Sequence, residues 1–99
     1  MEVEFRQGLV IGQYLIKVLK EQGGDGLSAT QIGEQKSVFV TFHKDLYKIY
    51  INPRLTPKAD GIFLEHIDEY GNFNFKEYTG IEAQILQKQY EHLYVKIKE

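Results

Sequence analysis

Residues 38–51 read Val38-Phe39-Val40-Thr41-Phe42-His43-Lys44-Asp45-Leu46-Tyr47-Lys48-Ile49-Tyr50-Ile51, and this run settles the fold class. Val38 to Phe42 is β-branched and aromatic, which predicts a strand. His43-Lys44-Asp45 predicts a turn, and Leu46 to Ile51 is the returning strand, with Tyr47, Ile49 and Ile51 on one face. Asn52-Pro53 follows, and proline, having no N–H for a ladder, predicts the end of that strand. Ile62 to Ile67 reads as a third strand, and Glu69-Tyr70-Gly71-Asn72 turns the chain into a fourth around Phe73 and Phe75.

Helical signals flank this block on both sides. Val10, Ile11, Tyr14, Leu15, Val18 and Leu19 recur at helical spacing and predict one apolar face from Arg6 to Gln22. Gly8 and Gly12 lower helix stability, so they predict close backbone packing or a late helix start; Gly23 and Gly24 end the helix. Beyond the strands, Thr79 is placed as an N-cap with Glu82 three residues on, opening a helix whose stripe is Leu86, Tyr90, Leu93 and Ile97. The order is helix, four antiparallel strands, helix. This is an α+β chain: a small antiparallel sheet flanked by an N-terminal and a C-terminal helix. No repeat, low-complexity tract or linker interrupts it, so residues 1–99 read as a single domain.

Composition narrows the chemistry. Twelve Lys and Arg against fourteen Asp and Glu give a net charge of −2, with the basic residues scattered from Arg6 to Lys98. That argues against nonspecific nucleic-acid binding. There is no cysteine, which removes disulfide scaffolds, thiol nucleophiles and every cysteine-ligated metal. The opening Met-Glu-Val-Glu-Phe is acidic where a signal peptide is basic, and no apolar run approaches bilayer width. A soluble cytoplasmic protein, with no membrane partner, is the expectation.

Two segments carry more than folding signals. Gly24-Asp25-Gly26-Leu27-Ser28-Ala29-Thr30-Gln31 resembles the first signature of peptide deformylases, G-x-G-L-A-A-x-Q, with one Ala replaced by Ser28. Gln87-Lys88-Gln89-Tyr90-Glu91-His92-Leu93 resembles the third, Q-H-E-x-D-H-L. A strand ending Ile51-Asn52-Pro53 and a hairpin at Ile67-Asp68-Glu69-Tyr70-Gly71 lie between them in the family's order, so the likeness runs from about Phe5 to Ile97. The resemblance implies a trimmed deformylase fold. Deformylases remove the formyl group from N-terminal methionine with a metal held by two histidines one helical turn apart and a cysteine, and a glutamate moves the proton. Here the first histidine position is Lys88, only His92 matches, and the glutamate position is Gln89. The second signature, E-G-C-L-S, is missing, because Pro57-Lys58-Ala59-Asp60-Gly61 leads almost directly into the next strand. An ammonium has no lone pair for a cation, and a glutamine has no carboxylate for a proton. Lys88 and His92 are thus relict metal positions, Gln31 and Gln89 relict catalytic positions, and no cofactor is expected.

The individual residues also have plainer readings. Gln31 stands where the family's glutamine stabilises an oxyanion, but with no metal or nucleophile it is expected to bond local backbone. Gly24 and Gly26 serve backbone conformations closed to other residues, or close approach to a helix. His92 is expected to be a partly buried, hydrogen-bonded side chain and Glu91 an exposed helix carboxylate, while Lys88 in the old cation's place would pair with a neighbouring acceptor. Leu86 and Ile85 are expected to fill the interior once organised by the ion. His43 and His66 show no ligand spacing. Tyr47 and Tyr50 with Lys44 and Lys48 read as hairpin content rather than a single-stranded nucleic-acid surface. Phe63, Phe73 and Phe75 belong to the core or a contact surface, and Tyr78, Tyr90 and Tyr94 are an interface patch.

The resulting expectation is a catalytically inactive binding or structural module whose partner is a protein or a second copy of itself. Gly26, Leu27, Gln31, Tyr90 and Tyr94 are its candidate binding residues. Because reduced deformylases occur in viral genomes, the resemblance also implies a virus-encoded, even virion, protein. Two alternatives stand beside it. One is a metal-dependent hydrolase with a site rebuilt on His92, using Glu91 or Glu82 as base. The other is a non-catalytic binder of formylated or nascent peptides.

Overall fold

Lys44 and Asp45 both take left-handed backbone, φ 52° and 64°, the pair of conformations a two-residue hairpin turn needs to match strand twist. In the computed structural model, which describes residues 2–94, they join β2 (Val38–His43) to β3 (Leu46–Lys58). His43 stands opposite Leu46, and the Phe42 and Tyr47 rings stack 4.4 Å apart. β3 does not stop at Asn52-Pro53 as the sequence predicts. The register shifts between Ile51 and Arg54, Asn52 adopts φ 51°, and pairing with β4 (Gly61–Ile67) resumes at Arg54↔Glu65. This bulge absorbs the proline's missing donor. It also turns the Asn52 side chain toward the N-terminal segment, where its amide bonds both the N–H and the carbonyl of Val3, each at 2.9 Å.

β5 (Phe73–Tyr78) returns along β4, and a further strand, β1 (Gly26–Ser28), pairs with β2. The sheet therefore has five strands in the order β1-β2-β3-β4-β5, all antiparallel, rather than the four expected. Three residues in a glycine-rich run are too short to show strand periodicity.

Two helices cover the two faces. α1 (Phe5–Gln22) packs Leu15 and Leu19 on Leu27, Val38, Val40, Ile49 and Ile51. α2 (Gly80–Tyr94) packs Ala83, Leu86 and Leu93 on Phe39, Tyr50, Ile62, Leu64 and Tyr78. Neighbouring β2 residues, Val38 and Val40 against Phe39, go to opposite cores, as strand alternation requires. Tyr78 is therefore core and not interface, and Tyr50 is buried too, so neither supplies exposed aromatic surface. Ile97, the last residue of the expected α2 stripe, lies outside the described residues. No described helix is long and apolar enough to cross a membrane.

Gly8 and Gly12 prove to be contact points. A Cβ on Gly8 would lie 2.8 Å from Ile51 Cγ2, and one on Gly12 2.5 Å from Ile49 Cγ2. Both isoleucines are buried and branched at Cβ, so they have little room to yield. Gly12→Ala would gain about 1 kcal/mol of helix propensity but overpack the seam by more. A net loss of about 2 kcal/mol is expected in urea denaturation. An unchanged midpoint would show that α1 rides higher on the sheet.

Candidate functional site

Gly23 and Gly24, at φ 81° and 116°, carry the chain out of α1 into β1. Gly26 then faces α2 at such close range that an added Cβ would meet Gln89 Nε2 at 2.6 Å. Ser28, the next residue on this face, has its hydroxyl 2.9 Å from both the backbone carbonyl and the side-chain Oε1 of Gln89, to which it donates. Gln89 is 1% exposed. Two residues on, the Thr30 hydroxyl donates to the His92 carbonyl at 2.7 Å, so alternate residues of the glycine-rich run fasten the second half of α2. Leu27 faces the other way, into the α1 core. The Gln31 side chain is exposed and its Oε1 accepts the Ser28 N–H at 2.8 Å, the local backbone role expected of it.

The remaining positions do not converge. Lys88 is exposed and makes no hydrogen bond or ion pair with a described residue, so nothing holds its ammonium between helix and sheet. Glu91 is exposed and accepts from Gln87 Nε2 at 3.3 Å. His92 is half-buried, but its Nδ1 is enclosed without a hydrogen-bond partner among the described residues, contrary to the expectation of a satisfied side chain. Tyr90 and Tyr94 stack at 4.6 Å, and the Tyr94 hydroxyl shares a 2.7 Å hydrogen bond with Ser37 Oγ beside Asn52, Pro53 and Arg54. Among the described residues no group of three or more His, Cys, Asp or Glu side chains could hold a metal ion.

With this geometry established, its likeness to solved structures is specific. The peptide deformylase of Thermus thermophilus superposes with a TM-score of 0.83 at 24% identity, covering 94% of this chain and 71% of that one. The enzyme of Vibrio parahaemolyticus bacteriophage VP16T, solved with actinonin, gives 0.82 at 20% identity, covering 94% and 85%. A probable peptide deformylase of Synechococcus phage S-SSM7 gives 0.81 at 17% identity, covering 94% and 82%. The chain has a shortened peptide deformylase-like fold.

In sequence, the peptide deformylases of two Treponema pallidum strains are each 24% identical over 102 residues, covering 80% of this chain. The chain spans 63% of the length of these curated relatives. No protein-family model matches it.

A deformylase-like fold implies a divalent metal, and the residues present do not fit one. The first ligand position is an exposed lysine, no cysteine exists anywhere in the chain, and the base position is a buried amide bonded to Ser28. Leu86 and Ile85 are buried as expected, but the side chain set against Gly26 is Gln89. Ser28 is not among the residues the sequence singles out, although it carries a signal. Ser28 for Ala and Gln89 for Glu are both departures from the deformylase signatures, and the structure pairs them directly.

Proposed function

We propose that this deformylase-like chain does not carry out deformylation and works instead as a binding or structural module through protein–protein contact. The buried Gln89–Ser28 pair carries the reading. A general base must take a proton from metal-bound water, and a glutamine amide oxygen already accepting from Ser28 has no basicity to do so. Lys88 offers donors only, and a single histidine preorganises no ion. The phage origin of two structurally similar proteins supports a viral source for this chain as part of the same proposal.

The test uses untagged protein, because a tag's histidines would bind metal themselves. Substoichiometric iron, nickel and zinc, a melting temperature unmoved by these ions, and no hydrolysis of a formyl-methionyl peptide above the buffer rate are expected. One tightly bound ion per chain, lost with turnover in His92→Ala, would overturn the proposal and restore the hydrolase reading.

One observation favours the peptide-binding alternative. Among the described strands β1 pairs only with β2, and the Ser28 N–H is held only by the exposed Gln31 side chain, which an extended chain would displace in order to pair there. Saturable binding of a formyl-methionyl peptide, absent with its unformylated counterpart, would select that reading.

A further inference from the structure

Among the described strands the other edge of the sheet is β5, and the first half of that strand lacks the usual protections. Natural edge strands are kept from pairing by brevity, proline, bulges or charge. β1 is three residues long. β5 has six, pairs with β4 residue for residue from Ile67↔Phe73 to Ile62↔Tyr78, contains neither proline nor bulge, and carries its charges, Lys76 and Glu77, only in its second half. On its α1-side face Phe73 is 58% and Phe75 64% exposed, with ring centroids 5.8 Å apart. α1 packs chiefly over β1, β2 and β3 and leaves these rings in water. Two neighbouring exposed phenylalanines on an unbroken edge are a pairing surface.

We propose that two copies of the chain associate by antiparallel pairing of their β5 edges about a two-fold axis at Asn74. The strand's sequence selects both the partner and the register. Directly opposed residues must share a face, so the axis passes through a residue. At Lys76 it would set two ammonium groups against each other, and at Phe75 it would oppose Phe73 to Glu77. At Asn74 it sets Phe73 against the second copy's Phe75, twice by symmetry, and Lys76 against Asn72, with no like charges facing. Cross-strand aromatic pairs are the favourable ones.

Area sets the size class of the interface. Two rings from each copy, about three-fifths exposed and of ~200 Å² each, offer roughly 500 Å². The strand backbones and the Tyr70 rings, each 79% exposed, raise the buried total to on the order of 1,000 Å², the low end of specific interfaces. An interface at this low end associates weakly and reversibly, and a dissociation constant on the order of tens of micromolar is expected. The pairing does not depend on whether the chain is catalytic, since β5 contributes nothing to the Gln89 site.

Sedimentation of the untagged full chain from about 1 μM to about 1 mM tests this. The mass is expected to rise from one chain to two. Phe75→Lys should weaken association at least tenfold while retaining the wild-type circular dichroism, and Tyr14→Lys, at another exposed aromatic on α1, should leave it unchanged. The chain has no cysteine, so register is read by cross-linking. Asn74→Cys should form an intermolecular disulfide, because opposed Cα atoms sit about 5 Å apart, and Lys76→Cys, about 13 Å from its counterpart, should not. A monomer at every concentration, or a dimer indifferent to Phe75→Lys, overturns the proposal. A disulfide from Lys76→Cys with none from Asn74→Cys overturns the register.

Discussion

Gln89→Glu is expected to destabilise the fold by about 3 kcal/mol at pH 8 and by far less at pH 4.5. The replacement is nearly isosteric, so packing is unchanged and the effect is electrostatic. Gln89, on α2, is 1% exposed and lies against Gly26, and the Ser28 hydroxyl is the one donor shown to reach its side-chain oxygen. A carboxylate there would lose its water and keep a single hydrogen bond, which raises its folded-state pKa above the ordinary value of about 4.3. Below that value both folded and unfolded chains carry the proton, and the variant resembles wild type. As pH rises the unfolded chain ionises first, so the penalty grows until the folded-state pKa is passed. Urea midpoints of variant and wild type compared at the two pH values give the difference directly. Equal stability at pH 8 would mean that water reaches the site. No deformylation should appear in this variant, because restoring a base leaves Lys88 and the absent cysteine untouched. Turnover would show that only the base was missing.

The parts of the molecule that follow local rules were legible in the sequence. The β2–β3 run announces itself by residue type, and the isoleucines at 49 and 51 appear on the face where the apolar period puts them. Gly8 and Gly12 signalled a close seam because glycine costs so much inside a helix. What escaped depended on the rest of the fold. β1 is a strand only because β2 lies beside it, and the proline at 53 is tolerated in β3 because the register can slip by a bulge. Tyr78 read as a surface tyrosine until pairing with Ile62 placed it beneath α2. Phe73 and Phe75 read as core or contact surface, and which of the two holds depends on how far α1 covers their face, which is not written in β5. The Ser28–Gln89 pair spans 61 positions, and no local pattern connects two polar residues at that distance.

The second large effect is a loss of stability in mild acid traced to one imidazole. His66 is 8% exposed on β4, with the Tyr50 ring at 4.5 Å and an enclosed Nδ1 that has no hydrogen-bond partner among the described residues. Burial opposes its charged form; Asp68 nearby favours charge and Lys48 disfavours it, and burial prevails, pulling the pKa from 6.5 down to about 4. Between those values the unfolded chain holds a proton that the folded chain refuses, so stability present at neutral pH is lost as pH falls from 6.5 toward 4. The full shift corresponds to about 3 kcal/mol, a large share of the stability of a domain this size. Asp68 acts in a lower window. Slight burial raises its pKa, but hydrogen bonds from Asn72, Asn74 and Tyr70 outweigh this and hold it below 3.8, so its contribution is lost only under stronger acid. His66→Phe keeps a ring against Tyr50 and removes the titration. Its denaturation midpoint should therefore stay nearly level from pH 7 to pH 4.5, where the wild-type midpoint falls. Parallel slopes for the two proteins would place the acid sensitivity elsewhere. A level wild-type profile would mean that the imidazole takes its proton without leaving the fold, through water entering the recess lined by Lys48, Asp68, Asn74 and Lys76.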